Sequence, residues 1–101
     1  MAEWIYFIHA PREDFASSIT VTEAEVFRDH FEYLKRLLAE DVLILAGPTL
    51  GRINTGIAIF RAESEEEAQR IMNSDPVFVS GVATPELREF RVSLLNGDRG
   101  H

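Results

Sequence analysis

The sequence predicts an α+β domain of the ferredoxin-like kind, with its segments in the order βαββαβ. Two observations carry this reading. Four short runs rich in apolar, aromatic and β-branched residues alternate with two segments of helical character. Each helical segment opens on a Thr or Ser with a Glu three residues later, the pattern of a capping box. The expected architecture is a four-stranded antiparallel sheet with two helices on one face. One domain spans residues 1–95 and a frayed polar tail spans 96–101.

The first strand is expected over Trp4 to His9, where Trp4, Ile5, Tyr6, Phe7 and Ile8 favour extended structure and Pro11 ends it. Pro11 to Val21 shows no period and reads as a long loop, of the sort that is often functional. Thr22 and Glu25 form the first expected capping box. The helix after it runs to about Glu40 with an apolar stripe of Phe27, His30, Phe31, Leu34, Leu37 and Leu38. Its outer face offers Arg28–Glu32 and Glu32–Arg36 pairs.

Val42 to Ala46 is a continuous apolar run closed by Gly47-Pro48, a second strand. A polar turn leads to a third strand over Gly56 to Ala62. Ser64 and Glu67 form the second expected capping box, and the acidic residues there suit the positive end of a helix. That helix must stop near Asp75, because Pro76 disfavours helical geometry in the residue before it. Val77 to Pro85 reads as irregular, and Leu87 to Leu95 as a fourth strand with Phe90, Val92 and Leu94 on one side.

The first three strands do not alternate, as a sheet with one wet face would; Trp4 to Ile8 and Val42 to Ala46 load both faces with apolar residues. Two helices cover only one face. The other is expected to bury itself in a homodimer, sheet against sheet. The alternative is a monomer whose loop at 11–21 folds across it.

Composition narrows the function. A net charge of −7 disfavours nucleic acid and anionic membrane surfaces as partners. No cysteine is present, so disulfides, thiolate nucleophiles and cysteine zinc sites are excluded. No apolar run approaches the length of a membrane span, and no basic segment followed by a long apolar one opens the chain. A cytoplasmic protein is expected. Three histidines without a close pair on one helix argue against a metal site, and no phosphate-binding glycine loop is present.

His30 is the residue out of place. It lies on the apolar stripe of a helix, where a titratable group needs a partner or a purpose. Spacing leaves two readings open: a core histidine bonded to a backbone carbonyl, or an acid–base group facing a carboxylate. Asp75 is the candidate carboxylate, since both helices share a sheet face; it also reads simply as a helix terminator before proline. His9 and Arg12 flank Pro11 at the end of the first strand, and Arg12 suits a carboxylate or phosphate ligand unless the loop is merely solvated. Gly47 lets a ligand approach the backbone, or serves only a turn. Tyr6 and Trp4 read as core or interface residues.

Over residues 3–95 the chain resembles the YciI-like, or YCII-related, domain family. The resemblance rests on His30-Phe31-Glu32-Tyr33-Leu34, on Ala46-Gly47-Pro48-Thr49-Leu50, and on Gly56 opening an apolar strand. Ser64 to Ala68, Asp75-Pro76 and Gly81 follow in the family's order. The resemblance implies a dimeric α/β barrel of ferredoxin-like subunits and a His–Asp pair in a pocket, which maps onto His30 and Asp75. It also implies kinship with a branch linked to dehydrochlorination of chlorinated hydroxyquinols, and a barrel similar to that of muconolactone isomerases. The segment His9-Ala10-Pro11-Arg12 resembles a longer-loop branch. The expected function is that of a small lyase or isomerase without a cofactor. His30 and Asp75 would act on a small anionic or aromatic molecule, with Arg12, His9 and Gly47 binding it. The alternative is a non-catalytic domain that binds a small molecule or serves as a structural dimer.

Overall fold

A computed structural model describes residues 2–97; the expectation of a frayed tail falls partly on residues 98–101, which lie outside the described part. Eight elements follow one another: β1 Ala2–His9, α1 Phe15–Ser18, α2 Val21–Ala39, β2 Leu43–Pro48, β3 Thr55–Ala62, α3 Glu65–Asn73, α4 Pro76–Val79 and β4 Thr84–Phe90. The four strands form one antiparallel sheet in the order β2-β3-β1-β4. This is the expected ferredoxin-like α+β arrangement, with two short helices added.

β1 pairs on both edges, which suits the most apolar strand of the chain. Its register puts Trp4 opposite Phe60, Tyr6 opposite Ala58 and Ile8 opposite Gly56. Strand residues two apart share a face. Trp4, Tyr6 and Ile8 therefore join Tyr33, Leu34 and Leu37 of α2 and Ala68 and Met72 of α3 in the core. Gly56 leaves room for Ile8 there: a Cβ at this position would lie 3.0 Å from Cδ1 of Ile8, which would have to give way.

Several boundaries differ from expectation: β1 begins at Ala2, β2 continues through Gly47 and Pro48, β4 begins at Thr84, and three further differences have a local reason. The capping box of α2 forms at Thr20 and Glu23, two residues earlier than expected. Both Thr residues have a Glu three places on, but Glu23 is also gripped by Arg12, which favours the earlier start. The first-strand-to-helix loop contains α1, whose Phe15 is buried. β4 ends at Phe90, because Phe90 pairs with Glu3 near the start of β1 and the described residues beyond it find no strand partner; Leu94 is 95% exposed.

The stripe of α2 is also rotated from the expected one. His30, Tyr33, Leu34 and Leu37 are buried, whereas Phe31 and Leu38 are 60% and 57% exposed. Glu32 pairs with Lys35 rather than with either arginine, and Arg36 lies over the Tyr33 ring. At Ser64 the side chain accepts from the Glu67 amide, while the Glu67 carboxylate accepts from the Glu63 amide, one residue short of a closed box.

Asp75-Pro76 does more than end a helix. α3 stops at Asn73, Ser74 caps it, and Asp75 becomes the N-cap of α4 with Pro76 at its first position. A residue before proline is held in extended geometry, and Asp75 has φ −69° and ψ 126°. This corner turns the Asp75 side chain inward, toward the sheet. No helix among the described residues is long and apolar enough to cross a membrane.

Candidate active site

Three elements deliver side chains to one buried point. β1 supplies Tyr6, α2 supplies His30 and the α3–α4 corner supplies Asp75. Asp75 has no exposed surface and His30 is 9% exposed. Nδ1 of His30 lies 2.7 Å from Oδ2 and 2.8 Å from Oδ1 of Asp75. The Tyr6 hydroxyl donates to Oδ2 at 2.7 Å, and the Val77 amide donates to Oδ1 at 3.0 Å. The corner is tied to α2 by the Tyr33 hydroxyl, which donates to the Ile71 carbonyl at 2.6 Å.

The hydrogen bonds fix how the imidazole is used. A carboxylate has only lone pairs to offer, so the proton between the two groups rides on Nδ1 of His30. Nε2 is then the free nitrogen on the opposite edge of the ring. It has no hydrogen-bond partner among the described residues.

His30 forms part of the wall of a cavity of about 330 Å³. Ile8, Phe15, Phe27, Phe31 and Leu34 make that wall mostly apolar, and Gly47 and Pro48 of β2 border it. The Phe27 ring meets the His30 ring edge to face at 5.6 Å, and Phe15 packs on Phe27 at 5.4 Å. Such a space matches the lower end of small-molecule sites, which combine apolar walls with a few placed polar groups.

Tyr6 is held as a neutral donor. Burial, reinforced by the charge of Asp75 and the hydrogen bond to it, pushes its phenol far above the usual range. Its ring is flanked edge-on by Phe60 and Phe78, each at 5.5 Å.

The structure brings together His30, Asp75 and, at the cavity, Gly47. His9 and Arg12 lie elsewhere. His9 points to the opposite sheet face, where Nε2 meets Glu86 at 2.9 Å and the ring stacks on Phe7. Those hydrogen bonds, from His9 and then from Arg88, hold the Glu86 carboxyl below its ordinary range. Arg12 turns away from the cavity to bind both carboxylate oxygens of Glu23, at 2.8 and 2.9 Å, and the carbonyl of Ser18. The Arg12 hydrogen bond, with one from the Thr20 backbone, pulls the Glu23 carboxyl down to about 2. Arg12 thus fastens α1 to the start of α2, and its guanidinium covers the Phe15 ring at 5.0 Å.

Sequence reasoning left out Tyr6 and Phe15. The available signal for Tyr6 was its parity with Trp4 and Ile8, which marks it as inward-facing and therefore in need of a partner for its hydroxyl. Among the described residues no three His, Asp or Glu side chains gather as a metal would require.

The fold and this site together define a ferredoxin-like α+β protein with a buried His–Asp pair at a small apolar cavity. The chain belongs to the YCII-related domain family, whose model matches residues 5–91. It is similar to the uncharacterized protein YjpA of Bacillus subtilis (strain 168), at 35% identity over 63 residues, which cover 62% of this chain and 73% of that protein. A solved structure with the same fold is 5-chloro-2-hydroxyhydroquinone dehydrochlorinase from Burkholderia phenoliruptrix AC1100 in complex with 2,5-dihydroxybenzoquinone. It matches at a TM-score of 0.61 and 23% identity, covering 86% of this chain and 93% of that one.

Proposed function

We propose that this protein is a small enzyme, a lyase or isomerase that works by proton transfer at Nε2 of His30 without a cofactor. The observation that carries the reading is the geometry of His30. One nitrogen is fixed by a buried carboxylate, and His30 itself forms part of a cavity wall. A base oriented in this way takes a proton from a carbon or hydroxyl of the substrate. In an isomerisation the proton returns at another position. In an elimination the electron pair left behind forms a double bond, and a leaving group departs with its own bonding pair. Asp75 holds the imidazolium that forms between the two steps. Positioned proton transfer of this kind is worth about 10²–10⁴ in rate.

The substrate we propose is one aromatic or quinonoid ring with few polar substituents. Apolar walls of this size support that choice. So does the shared fold with an enzyme that is named for a chlorinated hydroxyhydroquinone and was solved with a dihydroxybenzoquinone. A strongly anionic substrate is less well served, because Arg12 is occupied by Glu23. We also propose that the working unit is a homodimer through the open sheet face. Half-buried Phe7 and Ile57 supply an apolar patch there, with Leu45 and Phe90 each about 40% exposed at its sides, while Ile5 and Ile59 of the same face are already buried.

The test is a panel of hydroxylated and chlorinated single-ring aromatics, followed by chloride release and by deuterium uptake from heavy water. Activity in the wild type that is lost in His30→Gln supports the reading. Equal activity in both proteins overturns it.

A further inference from the structure

We propose that Tyr6 is a positioning residue for His30: its hydroxyl clamps Asp75 and weakens the hold of that carboxylate on the proton of the pair. The proposal rests on His30 as the reacting group for its effect on rate, but its physical content stands without a substrate.

The oxygen that accepts from Tyr6 is the one nearest His30. Tyr6 Oη and His30 Nδ1 each lie 2.7 Å from Oδ2 of Asp75. Two donors on one oxygen compete for its electron density, so each lowers the proton affinity that the other feels. The Val77 amide occupies Oδ1, which leaves the carboxylate no freedom to pivot while Tyr6 is in place. Tyr6 has no exposed surface, and its two edge-on aromatic neighbours keep the hydroxyl aimed at Asp75. Burial and the negative charge of Asp75 keep the phenol protonated, so it acts as a donor across the physiological range.

The other titratable group near the pair is Tyr33 of α2, which is engaged with the Ile71 carbonyl and has Arg36 over its ring. Tyr33 lies on the same element as His30 and is unchanged in the experiment below. β3 faces the site with Ala58 and Phe60, which carry no charge.

Removing the Tyr6 hydroxyl concentrates the carboxylate's charge on His30. The pair then parts with its shared proton less readily. The test is the titration of His30 followed by NMR in the full-length protein, with Tyr6→Phe as the variant that keeps the ring. The midpoint is expected to rise by about one pH unit, the equivalent of one ordinary hydrogen bond. A second variant replaces Tyr6 with 3-fluorotyrosine by site-specific incorporation, which keeps the hydroxyl and makes it a stronger donor. Its midpoint is expected to fall. Movement in opposite directions supports the proposal, and a purely packing role moves neither. A midpoint within 0.2 pH units of wild type in the fluorotyrosine protein overturns it, even if Tyr6→Phe does not fold. Failure here leaves His30→Gln activity untouched as a separate result, so the two readings fail independently.

Discussion

Replacing Asp75 by alanine strips three donors of one acceptor at a point with no access to water. Tyr6 Oη, His30 Nδ1 and the Val77 amide all end on this carboxylate. An unsatisfied buried donor costs about 1–3 kcal/mol. Three of them set an upper range of about 3–9 kcal/mol. Partial relaxation brings the expected loss to about 3–5 kcal/mol, the range seen when one partner of a buried charged pair is removed. A domain of 101 residues has a total of about 5–15 kcal/mol. The variant therefore sits near its folding threshold. The assay is urea denaturation at neutral pH, read as a lower midpoint at an unchanged slope. Tyr6→Phe leaves one donor fewer and should cost about 1–2 kcal/mol by the same reasoning. In the double variant the two losses should not add, because Tyr6 has nothing left to bond once Asp75 is gone. A cost below about 1 kcal/mol for Asp75→Ala, or full additivity, refutes the idea of one shared network.

Three further outcomes are expected. The Glu23 carboxyl lies at about 2 in the folded protein, so its contribution is present above the ordinary glutamate range and is lost as pH falls toward 2; the gap in urea midpoint between wild type and Glu23→Gln should close over that window. The Tyr6 phenol is raised, so the linked stability is intact below about pH 10 and declines as pH rises beyond it; Tyr6→Phe should show a shallower alkaline loss in the same titration. Gly56→Ala sets a methyl against Ile8 and should lower stability by about 1–3 kcal/mol, with Ile8→Val restoring part of it in thermal melts.

Much of the fold was written in local patterns. Strand composition and the Ser64 cap act within a few residues, and the elements they foretold are present, although Gly47 and Pro48, expected to close β2, pair within it. The misses came from choices that depend on distant residues. Two Thr-x-x-Glu patterns overlap at the start of α2, and Arg12, eleven positions from Glu23, decides between them. The end of β4 depends on where β1 begins, which alternation along residues 87–95 does not contain. The rotation of the α2 stripe follows from the cavity: Phe31 borders it and stays largely exposed, while Tyr33 turns inward to reach Ile71.

The candidate site shows the same division. A histidine on an apolar stripe and an Asp before Pro are visible as anomalies, and the structure places them in contact. For Tyr6 the strand alternation shows an inward-facing hydroxyl in need of a partner, but not which partner it meets. Only the register of β1 beneath the α3–α4 corner puts its hydroxyl on Asp75. Arg12 and His9 looked suited to an anion. Each instead met a nearer carboxylate, Glu23 and Glu86, supplied by segments that the sequence alone does not bring alongside.

The central claim is that His30 presents a bare Nε2 to the cavity because Asp75 holds the proton on Nδ1. The ¹⁵N chemical shifts of the two ring nitrogens of His30, measured in its neutral form, test this directly. A protonated Nδ1 and an unprotonated Nε2 are expected. A proton on Nε2, or the mixture of tautomers shown by free imidazole, contradicts it.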